Sequence, residues 1–208
     1  MCLFIETIRI ENGKAWNIAL HEERMNRTRR SFFGKVADLH LCAYLHPEAC
    51  SGRTRCRVTY GDEVVRVEYF PYHLRQVDTL KLVVRNDIDY AYKRADRSVL
   101  DEAFACRGEA DEVLIVRRGL LTDTSIANVA LWNGEEWHTP SRPLLEGTCR
   151  RALLDEGVIK ETDIPVTSLK AYRYIRLFNA ISFRLFIPPV RSCLPESACP
   201  GYGVLFPA

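Results

Sequence analysis

No run of about 18 apolar residues, the length a helix needs to cross a bilayer, occurs in this sequence, so no membrane span is expected. The opening Met1-Cys2-Leu3-Phe4-Ile5-Glu6 lacks a basic segment followed by an apolar one, so no secretory leader is expected either. Neither sign of charge dominates. The 29 basic and 27 acidic side chains leave a net charge of +2, too small and too well mixed to suggest nucleic acid or a membrane surface as partner. Cysteines stand at 2, 42, 50, 56, 106, 149, 193 and 199, but none are paired in the Cys-x-x-Cys spacing of zinc or dithiol motifs. No metal is expected, and free thiols in a reducing cytoplasm are the default, with Cys193 and Cys199 the only pair that suggests a disulfide. Internal repeats and low-complexity tracts are also missing. What remains is 208 residues, 47% apolar and 27% charged, ordinary for a globular protein of one large or two small domains.

Local patterns divide the chain into many strands and few helices. Residues 3–10 are β-rich, and Asn12-Gly13 supplies the two positive φ angles of a tight hairpin before Trp16 and Ile18. A helix is expected over 21–33, ending at Gly34, and a second over 37–45. The locally basic stretch from Arg24 to Arg30 reads, for Arg27, Arg29 and Arg30, as a solvated helix face. A second hairpin covers 54–60 and 63–70 around Gly61-Asp62, with Cys56, Val58 and Tyr60 alternating with arginines. Residues 71–79 read as a linker, dividing a small α+β lobe, 1–75, from a larger one, 76–208.

The second lobe opens with a buried strand at 80–84. Asp96 is placed to cap a helix carrying Val99, Leu100, Ala103 and Phe104 on one face. Strands follow at 112–116, 120–122, 129–132 and 136–139, turning at Arg118-Gly119 and Asn133-Gly134. A helix over 148–156 comes after Gly147. Strands that outnumber helices, joined by hairpins, make the class α+β.

Four motifs follow one another along the chain. They are His21-Glu22-Glu23-Arg24-Met25, then Tyr92-Lys93-Arg94-Ala95-Asp96-Arg97, then Ala110-Asp111-Glu112-Val113 running on to Thr122-Asp123-Thr124-Ser125-Ile126-Ala127-Asn128, and last Leu144-Leu145-Glu146-Gly147-Thr148-Cys149-Arg150. In this order they resemble the class IV aminotransferase family, which includes branched-chain and D-amino-acid aminotransferases and 4-amino-4-deoxychorismate lyases. The resemblance runs from about residue 4 to 156 and more weakly to about 190. It implies a two-lobed fold, here with one or two strands trimmed from the small lobe, a pyridoxal 5'-phosphate cofactor, a small-molecule substrate and a homodimer.

The resemblance also assigns roles. A cofactor aldehyde needs a lysine amine to hold it and later move a proton, and Lys93 occupies that place. The pyridine nitrogen needs an acid beside it. The family usually has Glu there, followed five residues later by Asn; this sequence has Asp123 and Asn128, the acid shorter by one methylene. Phosphate suits the free N–H groups of a helix start, here Gly147, Thr148 and Cys149, with Cys149 where Thr is common. Arg24 matches the arginine that grips the phosphate. Arg97 and Asn179 are candidates for substrate contact.

Lys93-Arg94-Ala95-Asp96-Arg97 and Phe178-Asn179-Ala180, with the later Pro188-Pro189-Val190, look more like the lyase than the aminotransferases. The expected reaction is therefore release of 4-aminobenzoate and pyruvate from 4-amino-4-deoxychorismate, a folate-pathway step. Two alternatives stay open: an aminotransferase acting on a branched-chain or D-amino acid, and a non-catalytic protein that binds the cofactor.

Overall fold

Asn12 and Gly13 both take left-handed backbone (φ 52° and 72°). They turn strand β1 (Phe4–Glu11) back into the short β2 (Lys14–Ala15), as the Asn-Gly pair dictates. The computed structural model describes residues 2–182 and the strand segments Phe186–Ile187 and Leu205–Pro207. Cys193, Cys199 and Pro188-Pro189-Val190 lie outside the described residues. The chain forms two units, one of Met1–Leu74 with Tyr92–Asp96, the other of Arg75–Ala91 with Arg97–Ala208. The segment carrying Lys93 thus belongs with the first unit, whereas a single cut at 75/76 assigns it to the second.

In the first unit, β3 (Thr54–Tyr60) and β4 (Val64–Pro71) complete an antiparallel sheet in the order β2-β1-β3-β4. Strand alternation sends Phe4, Ile8 and Ile10 of β1, and Cys56, Val58 and Tyr60 of β3, to one face. That face packs against Met25 of helix α1 (Ile18–Phe33) and against Leu41 and Leu45. The buried positions His21, Arg24, Met25 and Thr28 of α1 recur at i, i+3, i+4 and i+7, one helical stripe.

The helix expected over 37–45 does not form; only Leu41–Ala43 winds into a single 3-10 turn. Its backbone is claimed by α1. Asn26 clasps both Leu39 N–H (3.0 Å) and Leu39 C=O (2.9 Å), Arg29 donates to Ala37 C=O, and Glu22 accepts from Leu41 N–H. Groups bonded in this way cannot join a helical ladder. Arg29 is accordingly a buried clamp, which corrects its reading as a solvated residue; Arg27 and Arg30 are exposed as expected.

The second unit is a layered α+β structure. Strands β5 (Thr79–Val84), β6 (Glu112–Arg117) and β7 (Leu120–Thr124) pair in order, parallel then antiparallel, with β13 (Leu205–Pro207) beyond β5. A second sheet runs β10 (Ile159–Thr162), β9 (Trp137–Pro140), β8 (Asn128–Trp132), β11 (Tyr174–Phe178), β12 (Phe186–Ile187). Leu82, Leu114, Val116, Val129, Leu131 and Leu177 form the core shared by the two sheets. The opposite face of β6 packs Val113 and Ile115 against Leu100 and Ala103 of α2 (Ser98–Ala105). The far side of the second sheet packs Ala130 and Phe178 against Cys149 and Leu153 of α3 (Thr148–Asp155). Burial on both faces explains why β6 is one continuous apolar run. The residue at the N-cap of α2 is Arg97, not Asp96. Among the described residues no helix is long and apolar enough to cross a membrane, and no group of three His, Cys, Asp or Glu side chains could hold a metal.

Candidate functional site

In the first unit the charged centre is Glu6, a carboxylate in the inward-facing row between Phe4 and Ile8 and wholly buried. Arg24 grips it from α1, Nε to Oε1 at 2.9 Å and Nη2 to Oε2 at 2.5 Å, while His21 Nδ1 stands 2.6 Å from Oε2. Burial alone would raise the Glu6 pKa, but the Arg24 charge and the hydrogen bonds from His21 and Arg24 outweigh it and hold it down to about 2. Burial lowers the His21 pKa, opposed by Glu6 and reinforced by the positive charges of Arg24 and Lys93.

Lys93 is tied to the same strand. Its carbonyl accepts from Ile5 N–H (2.9 Å), Ala95 N–H donates to Leu3 C=O (2.8 Å), and Arg94 bridges Phe4. Tyr92 packs on the aromatic cluster of Phe4 and Phe32. The first unit therefore brings together Lys93 and Arg24, through Glu6 and His21. The sequence patterns assign no role to Glu6 or His21, although His21 opens the first of the four motifs. The available signal was a lone acid at an inward position of an alternating strand, Phe4-x-Glu6-x-Ile8-x-Ile10. A charge there requires a buried cationic partner.

In the second unit the charged centre is Asp123, 4% exposed on β7. Asn128 Nδ2 donates to its Oδ1 (2.8 Å) and Leu145 N–H to its Oδ2 (2.9 Å). Burial raises its pKa to about 6, against the hydrogen bonds from Leu145 and Asn128 and the distant charge of Arg150. Asn128 also donates to Leu145 C=O (2.9 Å), so one side chain joins β8, the acid and the chain leading into α3. Gly147, at the start of α3, has ordinary φ (−70°), but a Cβ there would lie 2.1 Å from Asn128 Oδ1. Glycine is needed for close approach, not for backbone freedom. Thr148 and Cys149 are buried in the first turn of α3, and Cys149 packs into the core behind the helix.

Asp123, Asn128 and Gly147 thus converge within the second unit. Arg97 and Asn179 meet elsewhere, on the turn at 125–127. Arg97 Nη2 donates to Ser125 C=O (2.8 Å) and Asn179 Nδ2 to Ile126 C=O (3.2 Å). Asn179 Oδ1 accepts from Ile181 N–H, Ser182 N–H and Ser182 Oγ, the pattern of a turn asparagine.

A sequence model of the class IV amino-transferases matches residues 65–193. The chain belongs to this family. It is 38% identical to an uncharacterised protein of Haemophilus influenzae over 181 residues, 85% of this chain and 96% of that one. The crystal structure of a candidate 4-amino-4-deoxychorismate lyase from Haemophilus somnus superposes with a TM-score of 0.80 at 35% identity, covering 87% of this chain and 97% of that one. The fold recurs at 15% identity in the pyridoxal-phosphate-bound form of a hypothetical aminotransferase from Mycobacterium tuberculosis, with a TM-score of 0.73, covering 89% of this chain and 80% of that one. The mixed sheets with few helices are those of a class IV aminotransferase.

Proposed function

We infer that this protein is a pyridoxal-phosphate-dependent 4-amino-4-deoxychorismate lyase, forming 4-aminobenzoate and pyruvate. The observation that carries this reading is the 35% identity to the Haemophilus somnus protein across nearly the whole of both chains. The donor set fits the cofactor. Asp123 is a buried carboxylate with only neutral donors in hydrogen-bond contact, ready to face a protonated pyridine nitrogen. Gly147 permits the close packing that a phosphate-binding helix start demands.

Lys93 would hold the cofactor's aldehyde. Asp123, oriented by Asn128, would face the ring nitrogen, and Arg24 with the 147–149 amides, Thr148 and Cys149 would hold the phosphate. Bound there, the cofactor supplies an electron sink that acidifies the C–H bond beside the substrate amine. Lys93 Nζ would take that proton and return one to the departing enolpyruvate as the ring becomes aromatic. Glu6 fixes the edge of Arg24 turned toward it, so Arg24 would meet phosphate with a guanidinium already oriented. Arg97 and Asn179 would shape the substrate wall through the turn they hold.

The test is product analysis with the purified protein. Pyruvate released from 4-amino-4-deoxychorismate with no amino acceptor present supports the lyase. Transfer that requires an acceptor makes the protein an aminotransferase instead. Lys93→Ala should abolish both the turnover and the near-visible absorbance of bound cofactor; a protein that pyridoxal phosphate cannot reconstitute ends the proposal.

A further inference from the structure

The face of the first unit's sheet opposite its apolar core carries five arginines and two glutamates in neighbouring rows. The registers set Thr7 beside Arg57 and Glu68, and Arg9 beside Arg55 and Phe70. The negative charge is already committed. Glu11 takes Arg9 and, at 3.0 and 2.9 Å, both Nε and Nη2 of Arg53. Glu68 pairs with Arg66 at 3.6 Å. That leaves Arg55 and Arg57. Among the described residues neither forms an ion pair, and the Nε of each is buried without a hydrogen-bond partner. Arg55 lies over the Phe70 ring at 4.8 Å, which fixes its stem without satisfying its donors.

A buried N–H left unpaired is costly and marks a guanidinium that no protein acceptor holds. Both side chains are partly exposed, so a ligand would meet their outer nitrogens rather than the buried Nε. Arg55 and Arg57 are two residues apart on one face, roughly 7 Å along the strand. Each guanidinium offers the planar fork that a carboxylate fits. We propose that Arg55 and Arg57 form a binding site for a small molecule carrying two carboxylates, one on each guanidinium. The assignment rests on the lyase reading only for the identity of the natural ligand, because 4-amino-4-deoxychorismate carries two carboxylates.

The experiment is calorimetric titration of the full-length protein with isophthalate, a rigid dicarboxylate that cannot react, and with benzoate as its one-carboxylate counterpart. Isophthalate should bind the wild type more tightly than benzoate. Arg55→Gln and Arg57→Gln should each weaken isophthalate by about tenfold or more, whereas Arg66→Gln, which removes an already paired arginine, should stay within about twofold. Arg55→Lys and Arg57→Lys, which keep the charge but lose the fork, should recover part of the loss. Unchanged affinity in both Gln variants overturns the proposal, as does isophthalate binding no better than benzoate. Pyruvate release is measured alongside. Arginine-dependent isophthalate binding without pyruvate release sinks the lyase reading and leaves the site standing. Pyruvate release with an unchanged KM in both Gln variants leaves the lyase standing and removes 4-amino-4-deoxychorismate as the natural ligand of this site. If both hold, the Gln variants raise KM with kcat nearly constant.

Discussion

Each unit buries one carboxylate in its charged centre, and the two are opposites. Glu6 has two basic partners and a pKa drawn down to about 2; Asp123 has neutral donors in contact and a pKa pushed up to about 6. Burial penalises both equally in kind, so the neighbours decide the sign. Glu6 is a completed ion pair whose business is to fix Arg24 and His21. Asp123 is an acid with no cationic side chain in hydrogen-bond contact with it.

Removing each acid should separate the two roles. Glu6→Ala would strand Arg24 beside an empty place in the core, and breaking a buried pair this way costs about 3–5 kcal/mol, read as a lower midpoint in urea unfolding. Asp123→Asn keeps the shape and the Leu145 contact and removes the charge, at the loss of the hydrogen bond from Asn128 Nδ2, because the oxygen that accepts it becomes an N–H donor. It should cost activity on the order of 100-fold or more, yet leave the apoprotein as stable as wild type or more so at pH 8. A large loss of stability there would mean that Asp123 is structural after all. Gly147→Ala should cost about 1–3 kcal/mol, because Asn128 must shift to admit the methyl, and cofactor affinity should fall with it.

Acidity draws the finest distinction. Because the folded pKa of Asp123 is raised, its contribution to stability is fully present below about pH 4 and is lost as pH rises through about 6. Glu6 runs the other way: its contribution is present above about pH 4.5 and is lost as pH falls toward 2. Cofactor affinity should weaken below about pH 6, as Asp123 becomes neutral and can no longer offset a protonated pyridine. A spectroscopic titration of bound cofactor from pH 8 to 5 checks this, and an affinity that is flat across that range would remove Asp123 from the ring nitrogen.

How far the sequence reveals this depends on where each partner lies. The hairpin at Asn12-Gly13 is readable because two adjacent residues contain its whole cause. Asp123 and Asn128 are readable because both ends of their hydrogen bond fall within one short motif. Glu6 is not, since its partners come from a helix face, and a lone acid in an apolar row looks like a break in the pattern. The absent helix at 37–45 fails for the same reason. Its own residues permit a helix, and Asn26, Arg29 and Glu22, more than a turn of chain away, forbid it. Arg29 looks like any solvated arginine until the carbonyls it clamps are known.

The attachment of Tyr92–Asp96 to β1 also governs how the protein can be divided. The first unit is not a continuous stretch of chain, because its closing piece arrives only after Arg75–Ala91 has entered the second. A fragment ending near residue 75 would leave Leu3 C=O and Ile5 N–H on an open strand edge, the kind of edge that recruits other chains into aggregates. During synthesis that edge must wait for residues 92–96 to emerge from the ribosome, so the first unit cannot finish folding before part of the second has been made.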